Sequence, residues 1–360
     1  MRGRRRFLGG LLAAGALPAT GWAELGSPEF LAAARRASGD YALYGLSGAG
    51  AALFQLPLPG RGHAAAAHPS RTLAVAFARR PGRFALVIDC QSGKSLAELS
   101  APEGRHFSGH GAFSRDGDLL FTGENAYDEG RGMIGVWDMR DGLRRVAEFA
   151  SGGVGPHDLR LMPDGASLVV ANGGIETHPD AGRAKLNLAT MRPNLSYLSL
   201  SGDLLEQHEP PAEWHQLSTR HLALRPDGLV ALACQWQGDM ADVPPLLVLH
   251  RRGEALQFCE ADEDRMTERR MRGYAGSVAI SASGEEIAIT GPRGGLALVF
   301  DASGRRVAEI TEPDICGTAA GRQGLVFTTG TGRVIGAAAT ALPMSHPVNW
   351  DNHLVAIAPV

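Results

Sequence analysis

Five histidines stand at one point of a recurring phrase, and a recurrence of that kind can bring distant residues to one place. The phrase is a small or polar residue, then His, a short apolar alternation and a tight turn. It reads Gly62-His63-Ala64-Ala65-Ala66-Ala67-His68-Pro69 and then Gly109-His110-Gly111-Ala112-Phe113-Ser114-Arg115-Asp116-Gly117. It returns as Pro156-His157-Asp158-Leu159-Arg160-Leu161-Met162-Pro163-Asp164-Gly165 and as Arg220-His221-Leu222-Ala223-Leu224-Arg225-Pro226-Asp227-Gly228. Near the end of the chain comes Asn352-His353-Leu354-Val355-Ala356-Ile357. Neutral imidazole is the commonest ligand for Zn, Cu, Fe and Ni. If His110, His157 and His221 meet, they make a candidate site for a transition metal, Fe, Cu or Zn. The spacings of 47, 47 and 64 residues carry no metal signature themselves. A histidine that only hydrogen-bonds within its own repeat would show the same phase, so the fold must decide.

Other polar residues sit where they would border the same place. Glu124, Asn125, Asn172 and Gln235 end the second strand of their repeats, and Glu124 is the candidate anionic ligand or base beside His110. One repeat carries a long insertion, from Asn172 to Asn187. Loops of that length in a compact domain are usually functional or disordered. In it Arg183 and Lys185 suit a carboxylate or phosphate, while Glu176, His178 and Asp180 suit a metal. Asn187 closes the set. The same loop would also serve as a charged cover with no ligand. No nucleophile elbow, zincin helix, phosphate loop or EF-hand loop is present in the sequence. Gly291-Pro292-Arg293-Gly294-Gly295 reads as a hairpin turn, because no helix follows it.

The elements that must position these residues are strands. After each phrase come a second strand (119–122, 167–171, 229–233, 286–290), a third (134–138, 195–200, 246–250, 296–301) and a fourth (145–149, 204–207, 255–258, 307–310). Four short strands per roughly 40–50 residues mark a propeller blade. The expected fold is an all-β, β-propeller of four-stranded blades in a single domain, residues 40–360, behind an N-terminal linker, 24–39. Seven blades result if residues 352–358 supply a first strand to a blade completed by 41–47 and 51–58, so that both termini close the ring. Six result if 352–358 are instead the third strand of the last blade.

The first 23 residues read as a targeting segment. Arg4-Arg5-Arg6-Phe7-Leu8, a mild apolar run and Gly21-Trp22-Ala23 resemble a twin-arginine signal peptide with its cleavage site. The expected location is therefore periplasmic, with no membrane span after signal removal. A formal net charge of -3 gives no footprint for nucleic acid. Cys90, Cys234, Cys259 and Cys316 show no CxxC spacing; buried free thiols are the expectation, although an oxidising compartment permits disulfides.

Gly109-His110-Gly111, Gly155-Pro156-His157-Asp158-Leu159-Arg160-Leu161, Asn172-Gly173-Gly174-Ile175-Glu176-Thr177-His178-Pro179, Arg183-Ala184-Lys185-Leu186-Asn187 and Trp350-Asp351-Asn352-His353-Leu354 together resemble the DUF1513 family of bacterial twin-arginine-exported proteins. The resemblance spans nearly the whole mature chain. It implies a WD40-like or lactonase-like propeller in the periplasm. Relatives tend to be encoded beside imelysin-like iron-uptake proteins and dihaem-type oxidoreductases, which implies, by association, a role in iron acquisition with imelysin-like iron-uptake proteins as partners. It supplies no catalytic residues. Three functions follow as expectations: a periplasmic binding or accessory protein for iron or another metal with its ligand site at the channel mouth, a lactonase-like hydrolase using a metal or a His/Glu pair, and a protein-interaction scaffold.

Overall fold

The computed structural model of the chain describes residues 28–140, 142–336 and 343–357; residues 1–23, read from the sequence as a twin-arginine signal, lie outside them. Short alternating apolar stretches separated by Gly- and Asp-containing turns form seven four-stranded antiparallel sheets, arranged as the blades of a propeller. The innermost strands, in chain order, are Gly62–Ala67, Arg105–Phe113, Pro156–Leu161, Leu217–Leu224, Ser277–Ile280, Ile315–Gly321 and Val348–Ala356. Apolar side chains fill the space between neighbouring sheets, with Phe77, Phe107, Phe121, Tyr197, Phe300 and Phe327 among the largest that are fully buried.

The ring closes through both termini. Val348–Ala356 is the inner strand of a blade whose remaining strands are Phe30–Arg36, Tyr41–Leu46 and Ala52–Leu58. The register sets Leu31 opposite Val355 and Ala34 opposite Trp350. This settles seven blades over six. It also places a strand, Phe30–Arg36, in the stretch the sequence reading gives to a linker. Its run Phe-Leu-Ala-Ala-Ala is buried throughout, so it has no solvent face to give the alternation by which a strand is usually recognised. The one α-helix among the described residues is Met266–Arg270, and no described helix is long and apolar enough to cross a membrane.

Candidate metal centre and channel mouth

Each histidine of the repeat sits where its inner strand breaks register. The pairing shifts between Gly62 and Ala65, between Phe107 and Gly111, between Pro156 and Asp158, and between Thr219 and His221. In the closing blade it shifts between the partners of Trp350 and Leu354, around His353. A β-bulge re-aims a side chain that regular pleating would send to a flank. Here the bulges accompany imidazoles that meet on the propeller axis. Gly109 belongs to the same device: its φ is +104°, and an added Cβ would run into the ring of His63.

His110 and His157 have ring centroids 5.5 Å apart, His110 and His221 5.5 Å, and His157 and His221 4.6 Å. The three histidines singled out by the repeat are thus brought together, within one cluster rather than in separate blades. His63 and His353 complete it, with rings 4.3 Å apart and Nε2 nitrogens 3.2 Å apart. Their phase in the sequence is the signal that marks them. Ligand nitrogens of His63, His110 and His157 lie within 4.8 Å of one another, as do those of His110, His221 and His353.

Two carboxylates stand behind the rings. Asp158 Oδ1 is 3.1 Å from His110 Nδ1, while Asp158 Oδ2 accepts from the Leu222 amide at 2.9 Å. Asp351 Oδ1 is 3.6 Å from His63 Nδ1 and accepts from Arg79 at 2.9 Å; its other oxygen accepts from Arg61 at 2.5 Å. Asp158 Oδ1 and His63 Nδ1 are themselves buried with no hydrogen-bond partner, so each carboxylate acts on its imidazole by charge, which favours the proton at Nδ1 and leaves the lone pair on Nε2. His110 Nε2 is buried and has no hydrogen-bond partner, and neither does His221 Nδ1. Burial pulls the His63 pKa down to about 4 against the opposing pull of Asp351. Burial also holds His157, His221 and His353 well below the usual imidazole range, helped by Arg220 at His157, by His110 at His221 and by His63 at His353. Burial opposes ionisation of Asp158 and Asp351, yet neighbouring cations and imidazoles hold both well below the usual carboxylate range.

Above the cluster lies a cavity of about 450 Å³ whose floor includes His63, His157 and His221 and whose walls include Asn125, Arg183, Lys185 and Gln235. A cavity of about 320 Å³ on the other side takes in Asp158, His221 and His353. His221 therefore touches both. The insertion does cover the mouth: His178, Arg183 and Lys185 all line it. Asn125 Nδ2 reaches Thr177 Oγ1 at 3.5 Å, and Gln235 Nε2 donates to the Ala275 carbonyl at 3.2 Å.

The remaining candidates lie elsewhere. Glu124 does not join the imidazoles. It is fully buried in the flank of its blade and accepts from Arg145 NH1 at 2.5 Å, from Arg145 NH2 at 3.0 Å and from Thr122 Oγ1 at 2.9 Å. Alternation explains this: Glu124 shares its face with Thr122, whereas Asn125, one residue on, faces the cavity. Asn172 is also fully buried, bonded to Ser151 and Asn194 across its blade. Asn187 pins the insertion to itself, accepting from the Glu176 amide at 2.8 Å and donating to the Gly174 carbonyl at 2.9 Å. Glu176 and Asp180 do not line the cavity, and His178 pairs with Asp128 at 3.0 Å.

Further residues of the site, beyond those expected from the sequence, are Asp158 and Asp351 behind the rings and Arg79, Arg80, Arg220, Tyr274 and Arg293 on the cavity wall. Asp158 and Arg220 each adjoin a phased histidine, which is a usable signal; Arg80, Tyr274 and Arg293 carry none. A separate group, Glu206, His208 and His250, is satisfied internally, with His250 bonded to Tyr197 Oη and to the Glu254 carbonyl. The four cysteines are free and buried.

Comparison with known proteins adds family and fold. A search of the curated proteins finds no match. Among solved structures, hydrazine synthase of Kuenenia stuttgartiensis superposes with a TM-score of 0.62 at 12% identity, over 94% of this chain and 99% of that one. At that identity the likeness concerns the propeller alone. The family model for DUF1513, a protein of unknown function, matches residues 56–357. With the match spanning all the phased histidines and both cavities, the chain belongs to the DUF1513 family.

Proposed function

We propose that the protein is a periplasmic binding or accessory protein that holds a transition metal ion among the axial imidazoles, with the cavity above as its ligand mouth. The observation that carries this reading is the unpartnered, buried Nε2 of His110, backed by Asp158 at Nδ1 and faced by His221 and His353. A buried polar atom without a partner is costly unless something occupies it. Tetrahedral coordination at about 2.0–2.1 Å per nitrogen puts ligand nitrogens about 3.3 Å apart. The His63 and His353 Nε2 atoms are 3.2 Å apart, a separation that suits either a shared metal or a shared proton. The His157, His221 and His353 rings, kept neutral by burial, need lose no proton before ligating near neutral pH. An all-imidazole set without thiolate favours zinc, copper(II) or iron over copper(I).

The hydrolase reading has less support. Its His/Glu form needs a free carboxylate base, and Glu124 is committed to Arg145; its metal form would draw on the same imidazoles, and lactone turnover by the metal-loaded protein would favour it. A role in iron acquisition beside imelysin-like proteins would follow if the ion is iron. The test is elemental analysis of protein purified from the periplasm, set against a His110→Ala, His221→Ala double variant of the same fold. Near-stoichiometric metal in the wild type and loss in the variant support the proposal; equal metal in both, or none in either after exposure to Zn, Cu and Fe, overturns it. Changing Arg4-Arg5 to a Lys pair should retain the precursor in the cytoplasm, and unchanged periplasmic yield would remove the export part.

A further inference from the structure

We infer that the cavity above the imidazoles binds a small polyanion, a molecule carrying two or more carboxylate or phosphate groups. The inference rests on the reading of the channel mouth as a binding site, and does not require the metal. Six cations line the cavity, Arg79, Arg80, Arg183, Lys185, Arg220 and Arg293, and no Asp or Glu does. The chain as a whole has 38 acidic residues against 35 Lys and Arg, so this is a local concentration against the overall balance.

What marks the cations is that they share one partly enclosed space almost without carboxylates. Many arginines elsewhere meet a carboxylate, among them Arg105 and Arg145 with Glu124 and Glu148, and Arg225 and Arg251 with Asp227. In the cavity only Arg79 meets a carboxylate, Asp351. Among the described residues no carboxylate pairs with the other five. Arg80 donates to Thr177 Oγ1 at 3.1 Å, and Lys185 donates to Gln237 Oε1. Arg220 NH1 lies 3.3 Å from His157 Nδ1, while its Nε is buried with no partner. The Arg293 guanidinium lies 4.2 Å from the centre of the Tyr274 ring.

Burial and mutual repulsion show in the titration of these groups. Arg80 is lowered by burial, Arg183 and Arg79, and Lys185 by burial, Arg220, Arg293 and Arg80. Like charges held together in a partly enclosed space are unfavourable until an anion enters. A single negative charge would leave most of them uncompensated, which argues for a polyanion. Guanidinium forks match carboxylate and phosphate oxygens bidentately. The Ser108 Oγ, buried without a partner, and the side chains of Asn125 and Tyr274 add neutral groups to the same wall or its edge. A volume of about 450 Å³ beneath the insertion admits a small molecule.

The experiment is calorimetric titration of the metal-free mature protein with citrate and, separately, pyrophosphate, at constant ionic strength set by chloride. Saturable binding of either, at least tenfold weaker in an Arg80→Gln, Arg220→Gln variant, is the expected result. Whichever probe binds more tightly assigns carboxylate or phosphate. An Arg183→Gln, Arg293→Gln variant, altered at exposed positions, keeps the test open should the first pair fail to fold. No saturable binding of either probe, or affinities unchanged in the folded variants, overturns the inference. A His110→Ala, His353→Ala protein, altered at rings that do not line this cavity, separates the two readings: it should lose metal and keep the anion, whereas the arginine variants should lose the anion and keep the metal.

Discussion

Acid should destabilise the metal-free protein through His63 in a way that can be isolated. The residue is 6% exposed, and burial lowers its pKa from 6.5 to about 4, with Asp351 pulling the other way. An unfolded chain takes up the proton near 6.5, whereas the folded one waits until about 4. Between those values the unfolded state binds more protons, so stability falls as pH falls. The contribution is fully present above about 6.5 and is lost progressively toward about 4. Going from about pH 8 to about pH 5, this one site is worth roughly 2 kcal/mol, from a total that is typically about 5–15 kcal/mol. Asp158 and Asp351, held far below the usual range, stay ionised across this window and do not blur it. His157, His221 and His353 are lowered in the same direction, so the whole protein should lose more than His63 alone supplies. The assay is urea unfolding at both pH values, in chelator, for wild type and His63→Asn, whose replacement side chain takes up no proton. The wild type should lose about 2 kcal/mol more than the variant. Equal losses would mean that the ring is already protonated, or solvated, in the folded state, and the reasoning about the cluster would fail with it.

Three further outcomes are expected. Leu354→Ala, in the closing strand and 5% exposed, should cost about 2–5 kcal/mol in chemical unfolding, and deleting residues 348–357 should abolish cooperative unfolding because it also exposes the edge of Phe30–Arg36; a deletion variant with an unchanged melting temperature would contradict the closure. Gly109→Ala combines a strained positive φ with a clash against His63; it should lower stability by about 1 kcal/mol or more and weaken metal retention, while a neutral result would show that the rings have room to move. The thiols should resist a maleimide reagent in native buffer near pH 8 and react only on unfolding, since burial pushes Cys90, Cys259 and Cys316 up to about 12 and raises Cys234 as well; fast native labelling would place one of them at the surface.

The repeat alone determined most of the architecture. A small residue, His, an apolar alternation and a turn, recurring with three more strands, specifies blades, because each such unit buries its flanks only against a copy of itself. The phase of the histidines also put them on inner strands, and inner strands of a propeller must converge. Period-two alternation could not locate Phe30–Arg36, whose residues 30–34 are buried on both faces, nor say that Glu124 turns into its blade while Asn125 turns to the cavity. Only the tertiary structure decided which way each imidazole points, because the bulges at Gly62–Ala65 and Phe107–Gly111 are set by cross-strand pairing and not by local propensity. It alone brought Asp158 behind His110, and Arg80, Arg220 and Arg293 from three blades to one wall. Charge pairing is a property of distance in space: the order of residues does not say that Arg145 meets Glu124 while Arg220 meets no carboxylate.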